Sequence, residues 1–347
     1  MTASSKASAF RTRIDAQLSS FVSDQRSRLV DLGPDLEPFI DVAAAFVAGG
    51  KRLRPQFCYA GWLVAGGDPD STGILAAAAS FEWLQASALV HDDLMDGSDT
   101  RRGRPSIHRA FEARHRDAGG VGDAAQFGRS AALLLGDLML SWSDELFRNC
   151  ALDTVDAGAA FLDLCRTEVV AGQYLDVVGQ TLLEFSVADA MRVVRFKSAK
   201  YTIERPLHVG AALAGADDTL LATLSAFGLP LGEAFQLRDD LLGVFGDPEV
   251  TGKPAGDDLR EGKRTVLIAR AAELTDDAGR ELLRRGLGNG EHIAQLSELI
   301  MSTGADAAVE DDIASLERQA ETALDTLDES AQVHLRDLML KATRRTY

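Results

Sequence analysis

The clearest pattern in the chain is the recurrence of apolar residues three and four positions apart. Stretches 74–94, 129–147, 161–178 and 220–242 carry it, are rich in Ala and Leu, and predict helices. Strict alternation with β-branched residues is nearly absent, so no sheet is expected. Breaks rich in Gly, Asp and Pro separate the helices at 66–69, 117–123, 246–258 and 286–290. No internal repeat and no longer linker divides the chain. The pattern therefore predicts an all-α fold, a single large helical bundle domain over 1–347, with about residues 1–10 frayed.

Composition narrows the picture. Apolar residues make up 46% and charged residues 26%, enough for a multi-helix core and outside the range of disordered chains. Cys58, Cys150 and Cys165 have no CxxC spacing and read as reduced core thiols. The N-terminal stretch lacks the apolar segment of a signal peptide, and no uninterrupted apolar run reaches the length of a membrane span. A soluble, cytoplasmic protein that is not an integral membrane protein is expected. A net charge of -17 argues against a nucleic-acid partner, because phosphate backbones are held by basic surfaces. An acidic chain that binds phosphorylated molecules must gather its basic residues in one place or recruit divalent cations.

Both devices are present. Residues 91–96 read HDDLMD at the end of an apolar helix. Asp92 and Asp96, four apart, project from one face about one turn apart, where like charges repel unless solvent or a cation separates them. A second pair, Asp239-Asp240 in QLRDD, closes another apolar helix. Two such clusters facing each other across a bundle would offer hard oxygen ligands to Mg²⁺, which prefers a few carboxylates plus substrate phosphate oxygens. Basic residues follow each cluster in loops containing Gly or Pro: Arg101-Arg102-Gly103-Arg104-Pro105, then Lys253 and Lys263-Arg264. Another basic group is GGKRLRP at 49–55. Guanidinium forks, Lys point charges and close backbone N–H groups at Gly all suit a diphosphate.

These residues resemble the trans-isoprenyl diphosphate synthases, the family of farnesyl and geranylgeranyl diphosphate synthases. The resemblance spans most of the chain. It rests on GGKRLRP, on the first aspartate-rich motif with its RRGRPSIH tail, on ExxxGQxxD from Glu168 to Asp176, on KSAKY from Lys197, and on GEAFQLRDDLLGVFGDPEVTGKPAGDDLREGKRT from Gly232. It implies the isoprenoid synthase helical bundle with a central cleft, and a homodimer.

By position, the resemblance implies that Asp92 and Asp96 ligate two Mg²⁺ ions and Asp239 a third, Mn²⁺ being able to substitute, with Asp93 and Asp240 supporting them. Arg101, Lys197 and Lys253 would grip an allylic diphosphate. Lys51, Arg54, Arg102 and Gln85 would hold isopentenyl diphosphate. Gln173, Asp176, Ser198 and Gln236 would line the cleft, Ser198 standing where Thr is usual. One departure is clear: the second motif usually reads DDxxD, and its fifth position here is Gly243. The third metal is then expected to rest on Asp239 and waters.

The implied chemistry is ionisation of the allylic diphosphate in a water-poor field of cations, attack by the isopentenyl double bond, and proton loss to the released diphosphate. It needs no Ser-His or Cys-His nucleophile, and none is seen; His91 and His108 read as hydrogen-bonding residues near helix ends. In the family, bulky aromatics four or five residues before the first aspartate stop the chain at fifteen carbons. Those positions are Ala88 and Ser87, and Trp83 is one turn deeper, roughly 6 Å along the axis. With Trp83 as the floor, geranylgeranyl diphosphate is the expected main product; as an alternative, Trp83 is a core aromatic. Other readings are a longer-chain polyprenyl diphosphate synthase and a product-length-modifying partner subunit. A class I terpene cyclase would not need GGKRLRP or Gln85, and DDLMD with the tandem arginines differs from the acidic patterns of head-to-head synthases.

Overall fold

A computed structural model describes residues 3–182, 184–247 and 255–343. Of the described residues 81% are helical and almost none are in strands. The chain forms two compact units: one comprises Met1–Ala159 and Gly210–Gly215, the other Ala160–Val209 and Ala216–Tyr347.

The first unit contains α1 (Ala3–Val30), α2 (Glu37–Val47), α3 (Leu53–Val64), α4 (Gly73–Asp96), α5 (Ile107–Asp117) and α6 (Ala124–Arg148). Helix α4 packs on α3 and α6, and α6 also packs on α5. Most of α4 is small or apolar, and Ile74 to Leu84 is buried without interruption, which fits a helix enclosed by neighbours. Helix α1 begins at Ala3, within the stretch expected to fray, and buries Phe10, Ile14, Leu18 and Phe21 at helical spacing. The expected absence of strands needs one correction. Thr100–Arg101 (β1) pairs antiparallel with Arg104–Pro105 (β2), strands too short to leave an alternation in the sequence.

The second unit holds most of α7 (Val155–Thr181), then α8 (Val187–Val193), a π-helical segment (Val194–Glu204), the start of α9 (Arg205–Leu213) and α10 (Asp218–Phe245). Further on lie α11 (Asp257–Glu261), α12 (Val266–Leu274), α13 (Asp277–Gly286), α14 (Ile293–Thr303), α15 (Ala305–Ala323) and α16 (Glu329–Thr343). Helix α10 packs against the π segment and α15. Its buried Leu237, Leu241 and Val244 join Leu267, Ile268, Ile300 and Ile313 in one apolar core. Each such side chain contributes about 1.5–3 kcal/mol on burial.

By length and composition, α4 and α10 would both be able to cross a membrane, although no single run of residues suggested it. The apolar window of α4 is 83% buried inside the protein, as in a core helix.

Candidate functional site

In the first unit, α4 ends at the acidic motif. Gly97, at φ 67, closes it with an N–H bond to the Asp93 carbonyl. The next residues make the β1–β2 hairpin, whose two-residue turn has Arg102 at φ 53 and Gly103 at φ 71, the positive values that a tight hairpin requires. This turn sends the tandem arginines to different neighbours. Arg101 Nε donates to Asp93 Oδ1 at 2.8 Å, Nη2 donates to the same oxygen, and Nη2 lies 3.4 Å from Asp92 Oδ2. Arg102 instead lies over the Phe46 ring, 5.9 Å from its centroid. Together with Phe46, Val47, Glu82, Gln85, Ala86 and Leu89 it lines a small cavity. Burial pushes the Arg102 pKa down, Glu82 pushes it up, and Arg101, Arg52 and Arg54 push it down further.

The turn preceding α3 has Gly49 at φ 73, Gly50 at φ 96 and Arg52 at φ 53; it carries Lys51, and Arg54 follows in the first turn of α3. His91 Nε2 is 3.3 Å from the Leu133 carbonyl oxygen, and buried His108 is 3.2 Å from Ser106 Oγ. Both histidines thus have hydrogen-bond partners, His91 across to α6 and His108 two residues back along the chain.

Trp83 is fully buried in an aromatic cluster with Phe21 (5.9 Å) and Trp142 (5.0 Å). Its position differs from the expected tunnel floor for a geometric reason. Nine residues separate it from Asp92, and at about 100° per residue that places the two on opposite faces of α4. Ala88, four residues before Asp92, shares the face of Asp92, whereas Ser87 is buried and turned away from it.

In the second unit, α7 meets the π segment at Gly172, where a Cβ would come within 2.3 Å of the Lys197 backbone nitrogen. Glycine is what permits that approach. Lys197 Nζ donates to Asp176 Oδ2 at 2.6 Å, and Lys200 Nζ to Glu168 Oε1 at 2.9 Å. Arg205 donates to both Glu168 oxygens, at 2.6 and 2.8 Å. Burial alone would raise the Glu168 pKa, but Arg205 and Lys200 hold it below the usual carboxylate range. His208 continues the network. Its Nδ1 lies 3.0 Å from Arg205 Nη1 and its Nε2 3.0 Å from Ser225 Oγ, which donates to Glu204 at 2.8 Å. Burial lowers the His208 pKa, so the ring is neutral.

Helix α10 carries the second acidic pair. Gln236 Nε2 donates to Asp240 Oδ1 at 2.8 Å, while Asp240 Oδ2 is buried with no hydrogen-bond partner. Burial pushes Asp240 up to about 8 against the Gln236 bond, and Asp258 and Asp239 add to the rise. At Gly243, a Cβ would lie 1.9 Å from Asp258 Oδ2. The space that a side chain at the fifth motif position would occupy is therefore filled by a carboxylate from α11. The sequence reading missed Asp258, whose only signal was its place in GDDLREGK. Ser198 on the π segment and Gln173 on α7 are both partly buried. Lys253 lies outside the described residues.

The oxygens present fit a hard divalent cation. Asp92 and Asp96 stand on one face of a helix end, and Asp240 directs an unpartnered oxygen near Asp239 and Asp258. Among the described residues, no three His, Cys, Asp or Glu side chains converge into a ready-made cage. That arrangement suits Mg²⁺, which retains waters and takes phosphate oxygens as ligands.

Residues 38–302 match the polyprenyl synthetase family. The short chain isoprenyl diphosphate synthase of Methanothermobacter thermautotrophicus is 32% identical, over 82% of this chain and 82% of its own. The geranylgeranyl diphosphate synthase of Mycobacterium tuberculosis is 35% identical, over 70% of this chain and 64% of its own. The crystal structure of a geranylgeranyl pyrophosphate synthase from Corynebacterium glutamicum, complexed with isoprenyl diphosphate and magnesium, has a TM-score of 0.93. It is 41% identical and covers 97% of this chain and 99% of that one. Farnesyl and geranylfarnesyl diphosphate synthases also stand among the relatives, both 32% identical, so likeness alone does not fix product length. The chain belongs to the polyprenyl synthetase family and is a short-chain trans-prenyltransferase.

Proposed function

We propose that this prenyltransferase joins isopentenyl diphosphate head-to-tail to allylic diphosphates, with Mg²⁺ as cofactor and geranylgeranyl diphosphate as its main product. The observation that carries this reading is the divergence of Arg101 and Arg102. Adjacent on one turn, they serve two separate places, one beside Asp92 and Asp93 and one beside Gln85. Two cationic places fit two diphosphates, which condensation needs and cyclisation does not.

Asp92 and Asp96 would hold two Mg²⁺ ions and Asp239 a third, with Asp258 supplying the carboxylate that position 243 lacks; Mn²⁺ can substitute. Bound Mg²⁺ would neutralise the departing diphosphate and so favour cleavage of the allylic carbon–oxygen bond. Asp93 anchors the Arg101 guanidinium and Asp176 anchors the Lys197 ammonium, so both cations are oriented before the allylic diphosphate arrives. Lys253 completes that grip. Lys51, Arg54, Gln85 and Arg102 hold isopentenyl diphosphate. Gln173, Ser198 and Gln236 present dipoles to the developing cation. The isopentenyl double bond forms the new carbon–carbon bond, and the proton lost afterwards goes to the released diphosphate.

For product length, Ala88 leaves the Asp92 face open, and the buried Trp83 acts through the wall it shares with Trp142 and Phe21. Homodimerisation is supported by exposed apolar residues on α6 (Phe127, Leu133, Leu134, Leu140) and on α7 (Leu164, Val170, Tyr174, Val177).

Incubation with isopentenyl diphosphate and each of the five-, ten- and fifteen-carbon allylic diphosphates, followed by mass spectrometry, tests the reading. A twenty-carbon diphosphate made only with divalent metal present is expected. Ala88→Phe should shift the product toward fifteen carbons, and light scattering should give a dimer mass. No consumption of isopentenyl diphosphate by the isolated protein would refute the reading.

A further inference from the structure

The GGKRLRP turn carries an arginine with no role in the scheme above. Arg52 stands between Lys51 and Arg54, yet it is only 3% exposed. Its guanidinium is already committed. Nε and Nη2 donate to Asp15 Oδ1 at 2.9 and 2.7 Å, Nη2 donates to the Val47 carbonyl at 2.8 Å, and Nη1 donates to the Glu82 carboxylate. One side chain thereby ties the start of α3 to α1, to the end of α2 and to α4. These partners use most of the donors of the fork and leave it poorly placed to grip an anion of its own.

The backbone at Arg52 has φ 53 and ψ 40, a left-handed conformation that a residue with a Cβ adopts only when its surroundings impose it. The contacts of Arg52 supply that imposition. They fix the turn from which Lys51 departs on one side and Arg54 on the other, with Gln56 Nε2 donating to the Lys51 carbonyl at 2.6 Å.

Glu82 adds a second link. It is 7% exposed, accepts from Arg52 through Oε2, and has no hydrogen-bond partner at Oε1. It also lines the small cavity with Gln85 and Arg102. A buried carboxylate there offsets the mutual repulsion of Arg52, Arg54 and Arg102.

We propose that Arg52, locked by Glu82 and Asp15, is a positioning residue for the second diphosphate: it holds the turn that presents Lys51 and Arg54 and does not touch the substrate. The inference rests on the reading of Lys51, Arg54, Gln85 and Arg102 as the isopentenyl diphosphate grip. A chain with Lys in place of Arg52 keeps the charge but loses the planar fork that bridges several acceptors at once.

The test is steady-state kinetics on full-length Arg52→Gln, Arg52→Lys and Glu82→Gln, varying each substrate with the other saturating, beside Lys51→Ala. Arg52→Gln should raise KM for isopentenyl diphosphate about tenfold and leave KM for the allylic partner within about twofold, with kcat little changed. Arg52→Lys and Glu82→Gln should follow in the same direction with smaller rises. A purely structural role would instead lower Tm and the active fraction while leaving both KM values alone. If Arg52→Gln does not fold, the other two variants decide by the same criterion. Equal rises for both substrates, or none, with Lys51→Ala still selective, would overturn the inference alone. A non-selective Lys51→Ala would overturn the underlying assignment of the grip.

Discussion

The two acidic helix ends share a sequence, Asp-Asp at the close of an apolar helix, but are built differently. At the end of α4, Asp93 is paired with the cation Arg101, and the fifth residue of the motif, Asp96, belongs to the same helix. At the end of α10, Asp240 is paired with the neutral amide of Gln236 and burial pushes it up to about 8. There the fifth residue is Gly243, and the carboxylate beside it is Asp258 of α11. A similar complement of oxygens is assembled once from neighbours in sequence and once from a tertiary contact. Counting aspartates within a motif therefore undercounts the second end.

The sharpest way to break this comparison is to remove one principal aspartate from each end. Asp92→Ala and Asp239→Ala should each lower kcat by about a thousandfold or more in a rapid-quench assay, and excess chelator should do the same to the unmodified enzyme. Near-normal turnover in either variant would show that the two ends are not equivalent in function. Next in size are the cations. Lys51→Ala, in the first unit, should raise KM for isopentenyl diphosphate about tenfold, and Lys197→Ala, in the second, should do so for the allylic substrate.

Gly243→Asp tests the tertiary replacement directly. Its Cβ would meet Asp258 Oδ2 at 1.9 Å, so the new side chain must displace that carboxylate. The reaction type should stay the same while half-saturating Mg²⁺ rises about tenfold, and Asp258→Ala in the same chain should bring it back. Metal binding measured by calorimetry checks this independently of turnover. No recovery in the double variant would separate Asp258 from the metal.

The smallest effect concerns acid. His208 is buried and neutral with its pKa below the ordinary value, so as pH falls the unfolded chain takes the proton first. Its contribution is complete above about pH 6.5 and is lost as pH falls through the folded value. In His208→Gln the fall in Tm between about pH 7 and 5.5 should be smaller by about 2 °C. An unchanged slope would assign the acid sensitivity to another group.

The long helices were legible because apolar spacing persists over many turns. The stretch 74–94 anticipates Gly73–Asp96, and 220–242 anticipates Asp218–Phe245. The closeness of Arg101 to Asp92 and Asp93 was legible as well, because a short hairpin follows the helix end. The π segment Val194–Glu204 was not, since a change of hydrogen-bond register leaves no mark on composition. Asp258 and Arg52 were missed for related reasons. The meaning of Asp258 lies in contact with a residue fifteen positions earlier, at Gly243, and Arg52 looks like one more charge in a basic run until its partners on other helices are known. Trp83 takes the place of a core aromatic beside Phe21 and Trp142, because nine residues of helix turn it away from the face of Asp92.

The two-residue turn at Arg102-Gly103 has a further consequence. A hairpin this short has no slack, so a shift of the Arg101 backbone toward one ligand is transmitted to Arg102 across a single peptide bond. On the proposed assignment of Arg101 to one diphosphate and Arg102 to the other, binding of the two reactants is then energetically linked. Such linkage is reciprocal: by whatever factor one reactant changes the affinity of the other, the second changes the first by the same factor. Lengthening the turn by a glycine should uncouple them, leaving each affinity near its separate value and removing any preference in the order of binding.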